Sequence, residues 1–191
     1  MNSIKEGSLT FEFPDNWQAS KFDDWQFYRK QFMKIAEAKI ACSKCGSPLK
    51  CSKCGSDRVA GNMGIDILAL DTQSQCWLIE IKDYRTSTRS NTSDLADEVA
   101  LKVRDTLAAL LAARVNANDP GERSMAARAA KCESIRVVLH LELPPERSRR
   151  GVNKNTQAAL TMKLKQLVKS IDPHPLIVNC DPTGNLDWMV N

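Results

Sequence analysis

Nowhere in the 191 residues does an apolar run approach the ~20 residues that a membrane-spanning helix needs. The N-terminal residues, MNSIKEGSLTFEF, lack a basic stretch followed by an apolar segment, so the expected location is the cytoplasm, with no membrane partner. Neither sign of charge is in large excess. With 27 Lys and Arg against 23 Asp and Glu, the net charge of +4 permits a polyanionic partner without demanding one. The length is too short for two ordinary domains and a linker, which leaves one domain, 1–191, carrying an insertion. No internal repeat occurs apart from two short cysteine units.

Those units are Cys42-Ser-Lys-Cys45-Gly46 and Cys51-Ser-Lys-Cys54-Gly55, with five residues between Cys45 and Cys51. Each has the C-x-x-C-G form in which a tight turn aims two sulfurs at one ion and glycine relieves the backbone. Four thiolates would complete a closed tetrahedral Zn²⁺ site, structural rather than catalytic because no position is left for water. A redox C-x-x-C, a disulfide pair and an iron–sulfur cluster are the competing readings. Duplication back to back, a cytosolic setting and contiguity argue against each in turn. The insertion, 41–58, would brace the chain or touch nucleic acid or a partner through Lys44, Lys50, Lys53 and Arg58. Cys76, Cys132 and Cys180 lack such spacing and read as core thiols.

The stretch Gly64 to Tyr84 reads as two neighbouring strands joined by the turn Asp71–Gln75. On the second strand, period-two geometry sends Trp77, Ile79 and Ile81 to one face and Leu78, Glu80 and Lys82 to the other. The first strand, Ile65 to Leu70, carries one charge, Asp66, in an otherwise apolar run. Charges are seldom buried there unless paired or bound to metal. Asp66 and Glu80 offer hard carboxylate oxygens suited to Mg²⁺ or Mn²⁺, and Lys82 could orient or help deprotonate a water. The bland alternative is a solvated strand face with a same-strand ion pair.

Elsewhere the periodicity predicts a strand at Leu9–Phe13, a turn at Pro14–Trp17 and a helix from Ser20 to Ile40, capped by Ser20 with Asp23. A second helix is expected from Asp94 to Val115, with Leu95, Val99, Val103, Leu107, Leu110 and Leu111 on one stripe. A short helix at 122–131, a strand at Ile135–Leu143, a helix from Asn155 to Ile171 and a last strand at 175–179 complete an α/β order with a mixed sheet. His140 reads as a satisfied sheet histidine. Arg147, Arg149, Arg150, Lys154, Lys163, Lys165 and Lys169 form a basic C-terminal third, either a solvated face or a phosphate-contacting surface.

Gly64-Ile65-Asp66, a thirteen-residue gap and then Glu80-Ile81-Lys82 resemble the active site of the PD-(D/E)xK nuclease superfamily, although no proline precedes Asp66. The resemblance implies a restriction-endonuclease-like αβββαβ core in which Asp66, Glu80 and the backbone carbonyl of Ile81 hold catalytic Mg²⁺ or Mn²⁺ and Lys82 serves the nucleophilic water. It also implies an additional acidic residue from the first helix, for which Glu37 is the candidate, and an auxiliary role for Lys102. The expected activity is that of a nuclease, DNA favoured over RNA and most simply an endonuclease, serving bacterial defence or repair. A partner protein or a homodimer would then supply target recognition, since no separate recognition domain fits the chain. The alternative is a catalytically silent, zinc-braced nucleic-acid-binding or protein-interaction module.

Overall fold

A computed structural model describes residues 2–37, 62–86, 94–144, 152–180 and 186–191, and for 35–37 and 152–156 the backbone alone. The elements are β1 (Asn2–Glu6), β2 (Leu9–Phe13), β3 (Gln18–Lys21), α1 (Gln26–Lys30), a 3₁₀ turn (Phe32–Glu37), β4 (Ile67–Leu70) and β5 (Gln75–Asp83). They continue with α2 (Leu95–Asn116), α3 (Pro120–Ala129), β6 (Ser134–Glu142), α4 (Val152–Val168), β7 (Leu176–Val178) and β8 (Met189–Val190).

Five strands form a mixed sheet in the order β3-β4-β5-β6-β7, antiparallel from β3 to β5 and parallel from β5 to β7. Parallel pairing requires a long crossover, and α2 and α3 lie between β5 and β6 in the chain to supply it. A second, antiparallel sheet has the order β1-β2-β8. The α/β class and mixed sheet therefore stand.

Alternation on β5 separates two cores. Leu78 joins Leu68, Val99, Val103, Val137, Leu139 and Leu164 beneath the helices, whereas Trp77, Ile79 and Ile81 join Phe11, Phe13, Ile67 and Val138 between the sheets. In the second core the Trp17, Trp77, Trp188 and Phe13 rings pack with centroids 5.2 to 6.0 Å apart. Such tilted and offset contacts suit ring quadrupoles and add to the large area these side chains bury.

The turn between β4 and β5 is held by one carboxylate. Asp71 Oδ1 accepts from the Gln73 and Gln75 amides, both at 2.8 Å, while Oδ2 accepts from Trp77 Nε1 at 2.9 Å. Ser74 takes a φ of 60°, the left-handed conformation this tight return needs.

The helix expected from Ser20 to Ile40 does not form as one element. Ser20 lies in β3, paired with Leu68, and its Oγ accepts from Trp25 Nε1 at 2.9 Å instead of capping a helix. Helical backbone begins only at Gln26, because sheet pairing satisfies the amides of the preceding strand. The expected first active-site strand is also shorter: Asp66 sits at the bend just before β4, with its carbonyl accepting from the Phe22 amide at 2.9 Å.

Candidate functional site

β5 and α2 together build a charged cluster beneath the helices. Glu80 and Lys82 share the α2-facing side of β5, as alternation requires, and their charged ends are 3.0 Å apart. Asp66, at the bend before β4, reaches across: its Oδ2 accepts from the Ile81 amide at 2.6 Å. α2 contributes Glu98 and Lys102, four residues apart and so on one face. Lys82 Nζ lies 2.6 Å from Glu98 Oε1, and Lys102 Nζ lies 2.6 Å from Glu80 Oε1 and 3.4 Å from Asp66 Oδ1.

The same helix face continues with Asp105 and Thr106, three and four residues beyond Lys102. Asp105 Oδ2 accepts from the Met63 amide and Thr106 Oγ1 from the Ile65 amide, each at 3.0 Å. The chain entering β4 has no strand partner for these amides, so α2 side chains satisfy them and fix where Asp66 emerges. Gly64 is part of this fit: a Cβ there would come within 2.9 Å of Tyr28 Cζ and 3.1 Å of the Phe22 ring.

Glu80 is fully buried, and its carboxyl is pushed up to about 7, first by burial and then by the Asp66 charge, with Lys102 and Lys82 pulling the other way. Burial alone would lower both lysines. The Glu80 and Glu98 charges around Lys82, and those of Glu80 and Asp66 around Lys102, carry both ammonium groups above their ordinary value. Asp23, half-buried in the loop after β3, is pushed up to about 6 by burial and then by Asp66. Glu80 Oε2 and Asp23 Oδ1 are buried without hydrogen-bond partners among the described residues.

Asp66, Glu80 and Lys82 are thus brought together, and Ile81 joins them through its amide, which donates to Asp66, whereas the resemblance implies its carbonyl. The two carboxylates are hard-oxygen donors, and the unpartnered Glu80 oxygen is free to meet a cation, so the donor set fits Mg²⁺. Lys102, expected only as an auxiliary residue, is the group bridging both carboxylates. Glu37 ends the 3₁₀ turn, and its side chain lies outside the described residues. Asp23, in the loop after β3, is an acidic residue of the N-terminal segment that feels the Asp66 charge. Sequence reading missed Asp23, Glu98, Asp105 and Thr106. The last three were signalled by polar residues at helical spacing beside the apolar stripe of α2. Cys42, Cys45, Cys51 and Cys54 lie outside the described residues, as do Arg147, Arg149 and Arg150.

A second polar group occupies the opposite face of the sheet. His140 and Glu142 alternate with Leu139 and Leu141 on β6, and Cys180 follows β7. His140 Nε2 is 2.9 Å from Glu142 Oε1 and 3.8 Å from Cys180 Sγ. Glu142 Oε1 also accepts from the Cys180 amide at 2.6 Å. Burial lowers the His140 pKa despite the Glu142 charge, and burial followed by Glu142 raises the Cys180 thiol to about 11. Cys180 is therefore more than the core thiol expected, whereas Cys76 is buried as foreseen. His140 keeps one ring nitrogen, Nδ1, without a partner among the described residues, so it is not the fully satisfied sheet histidine expected.

The chain is 36% identical over 160 residues to a cysteine–tRNA ligase of Neisseria meningitidis serogroup A. That similarity takes in 78% of this chain but 22% of the ligase, so the chain spans about a fifth of the length of its curated relative. No family model matches, and no solved structure does. The similarity overturns the activity expected from Asp66, Glu80 and Lys82. It is to a tRNA ligase, and the nuclease, endonuclease and defence assignments fall with it. The physical reason the motif misled is that Asp66, Glu80, Lys82, Glu98 and Lys102 also pair with one another as a largely buried ion-pair network, which a strand motif alone cannot distinguish from a hydrolytic centre. No helix among the described residues is long and apolar enough to cross a membrane.

Proposed function

We propose that this chain is a tRNA-directed module that works in aminoacylation, as a region of, or an accessory to, a cysteine–tRNA ligase. The observation that carries the reading is the 36% identity over 160 residues to such an enzyme. Because the match takes in 22% of that enzyme, the role assigned is tRNA engagement and not the whole ligation reaction.

The charged cluster suits this task. Asp66 and Glu80 would hold a Mg²⁺ ion, which supplies a bridge between carboxylates and a phosphate when bound. Lys82 and Lys102 add positive charge that phosphate contacts use. Their lining of one rigid helix–strand seam would orient a phosphate, not merely attract it. We also propose that the mixed sheet and the Asp66/Glu80/Lys82 geometry belong to a restriction-endonuclease-like scaffold serving here as a binding frame. The Cys42, Cys45, Cys51 and Cys54 set would hold structural zinc.

The test is binding of fluorescently labelled cysteine-accepting tRNA to the purified chain, with and without Mg²⁺, against duplex DNA of equal charge. Tighter binding of tRNA that weakens in chelator and in Glu80→Gln is expected. Equal affinity for the duplex, or no response to either change, would overturn the proposal.

A further inference from the structure

We infer that His140, Glu142 and Cys180 form a zinc site on the sheet face opposite the charged cluster. β5, β6 and β7 run parallel, so their C-terminal ends share one edge, and His140, Glu142 and Cys180 all lie there. Ligands in α/β sheets gather outside the carboxyl ends of parallel strands, where side chains from separate strands converge without a crossing connection.

Geometry then selects the ligand. Imidazole, carboxylate and thiol ligand atoms all fall within 4.8 Å of one another. A tetrahedral Zn²⁺ with ordinary bond lengths would set nitrogen and sulfur about 3.5 Å apart and nitrogen and carboxylate oxygen about 3.3 Å apart. The observed separations, 3.8 Å and 2.9 Å, differ from these by less than an ångström, within the reach of side-chain rotation. Nitrogen, oxygen and sulfur donors together fit borderline-soft Zn²⁺ and not Mg²⁺ or Ca²⁺, which take oxygen.

A nucleophilic cysteine triad is the competing chemistry, and the geometry argues against it. Such a triad uses the two opposite nitrogens of the ring, one toward the nucleophile and the other toward the carboxylate. Here Cys180 Sγ and Glu142 Oε1 both approach the same nitrogen, Nε2, as ligands of one ion would. Two backbone features pre-set the group. His140 is fixed by pairing with Ile81 and Val178, and the Cys180 amide is tied to Glu142 at 2.6 Å. Cys180 is half-buried while His140 and Glu142 are buried, and three protein ligands leave a fourth position for an exogenous one.

The test uses the full chain and Co²⁺ as a spectroscopic stand-in for Zn²⁺. Thiolate–cobalt charge-transfer absorption and bound cobalt per chain are compared between wild type and Cys180→Ala, so any signal from the Cys42–Cys54 set cancels. Wild type is expected to bind one ion more, with affinity at that site falling beyond the roughly 10- to 100-fold that loss of a supporting group costs. Equal stoichiometry and equal spectra would overturn the site. Should Cys180→Ala fail to fold, iodoacetamide labelling of wild type decides: Zn²⁺ is expected to protect Cys180 in peptide mass mapping, and unchanged labelling refutes the inference.

Discussion

Lys102 Nζ stands 2.6 Å from Glu80 Oε1 and 3.4 Å from Asp66 Oδ1, so one ammonium group bridges both carboxylates of the cluster. Lys102→Met removes that charge and leaves Glu80 buried beside Asp66. The expected loss is roughly 3 kcal/mol, the scale for breaking a buried pair from one side. Mg²⁺ should then raise the melting temperature of the variant more than that of wild type. A variant indifferent to Mg²⁺ would show that the carboxylates do not accept the ion.

Glu80 sets a pH dependence whose sign follows from its raised pKa. The folded carboxyl titrates at about 7 against 4.5 for an unperturbed one, so the folded state holds more protons across that interval. The stabilisation is fully present below pH 4.5 and is lost as pH rises through 7. Asp23, at about 6, acts in the same direction. The full Glu80 effect is about 3 kcal/mol at the usual conversion. Urea denaturation of Glu80→Gln near pH 5 and near pH 8 should show a flatter pH dependence than wild type. An unchanged slope would remove Glu80 as its source.

Thr106 Oγ1 accepts from the buried Ile65 amide, so Thr106→Val keeps shape and strands a donor. A loss of about 1–3 kcal/mol is expected. Hydrogen exchange at Ile65 should accelerate before that of β5, and exchange rates rising equally in both strands would deny a local role.

Gly64→Ala forces the Tyr28 and Phe22 rings to move, because the new methyl would sit 2.9 Å and 3.1 Å from them. The cost of such overpacking is about 1–3 kcal/mol. Calorimetry checks the loss, and Gly64→Ala with Tyr28→Leu should recover part of it. No recovery would place the strain elsewhere.

Much of the sheet was legible because alternation is a local property. Trp77, Ile79 and Ile81 part from Leu78, Glu80 and Lys82 in the structure as period-two spacing requires. α2 was readable in its extent, beginning at Leu95 with Asp94 capping the Ala96 amide at 2.9 Å. Leu95, Val99, Val103 and Leu110 face the core as expected, but Leu111 is 64% exposed because the last turns of the expected stripe rotate toward solvent. The segment 20–40 was not. Its aromatics recur at helical spacing, but strand pairing with β4 claims Ser20 first, and that competition is tertiary. The charged cluster was half visible. Asp66, Glu80 and Lys82 announce themselves within a short stretch, whereas Glu98 lies on a distant helix and Asp23 on a loop whose approach to Asp66 no spacing encodes. His140, Glu142 and Cys180 are joined only by parallel register across β6 and β7, a relation invisible before strands are ordered.

The parallel ladder between β5 and β6 joins residues 75–83 to 134–142, on either side of two helices. Contacts of such long sequence separation close slowly, since the loop entropy is spent before the pairing rewards it. β5 can pair with β4 soon after synthesis, yet its other edge stays open until residue 142 has emerged. Its apolar interior is then an exposed template for strand addition. A ribosome-stalled chain ending before β6 should therefore depend on chaperones far more than one ending after it.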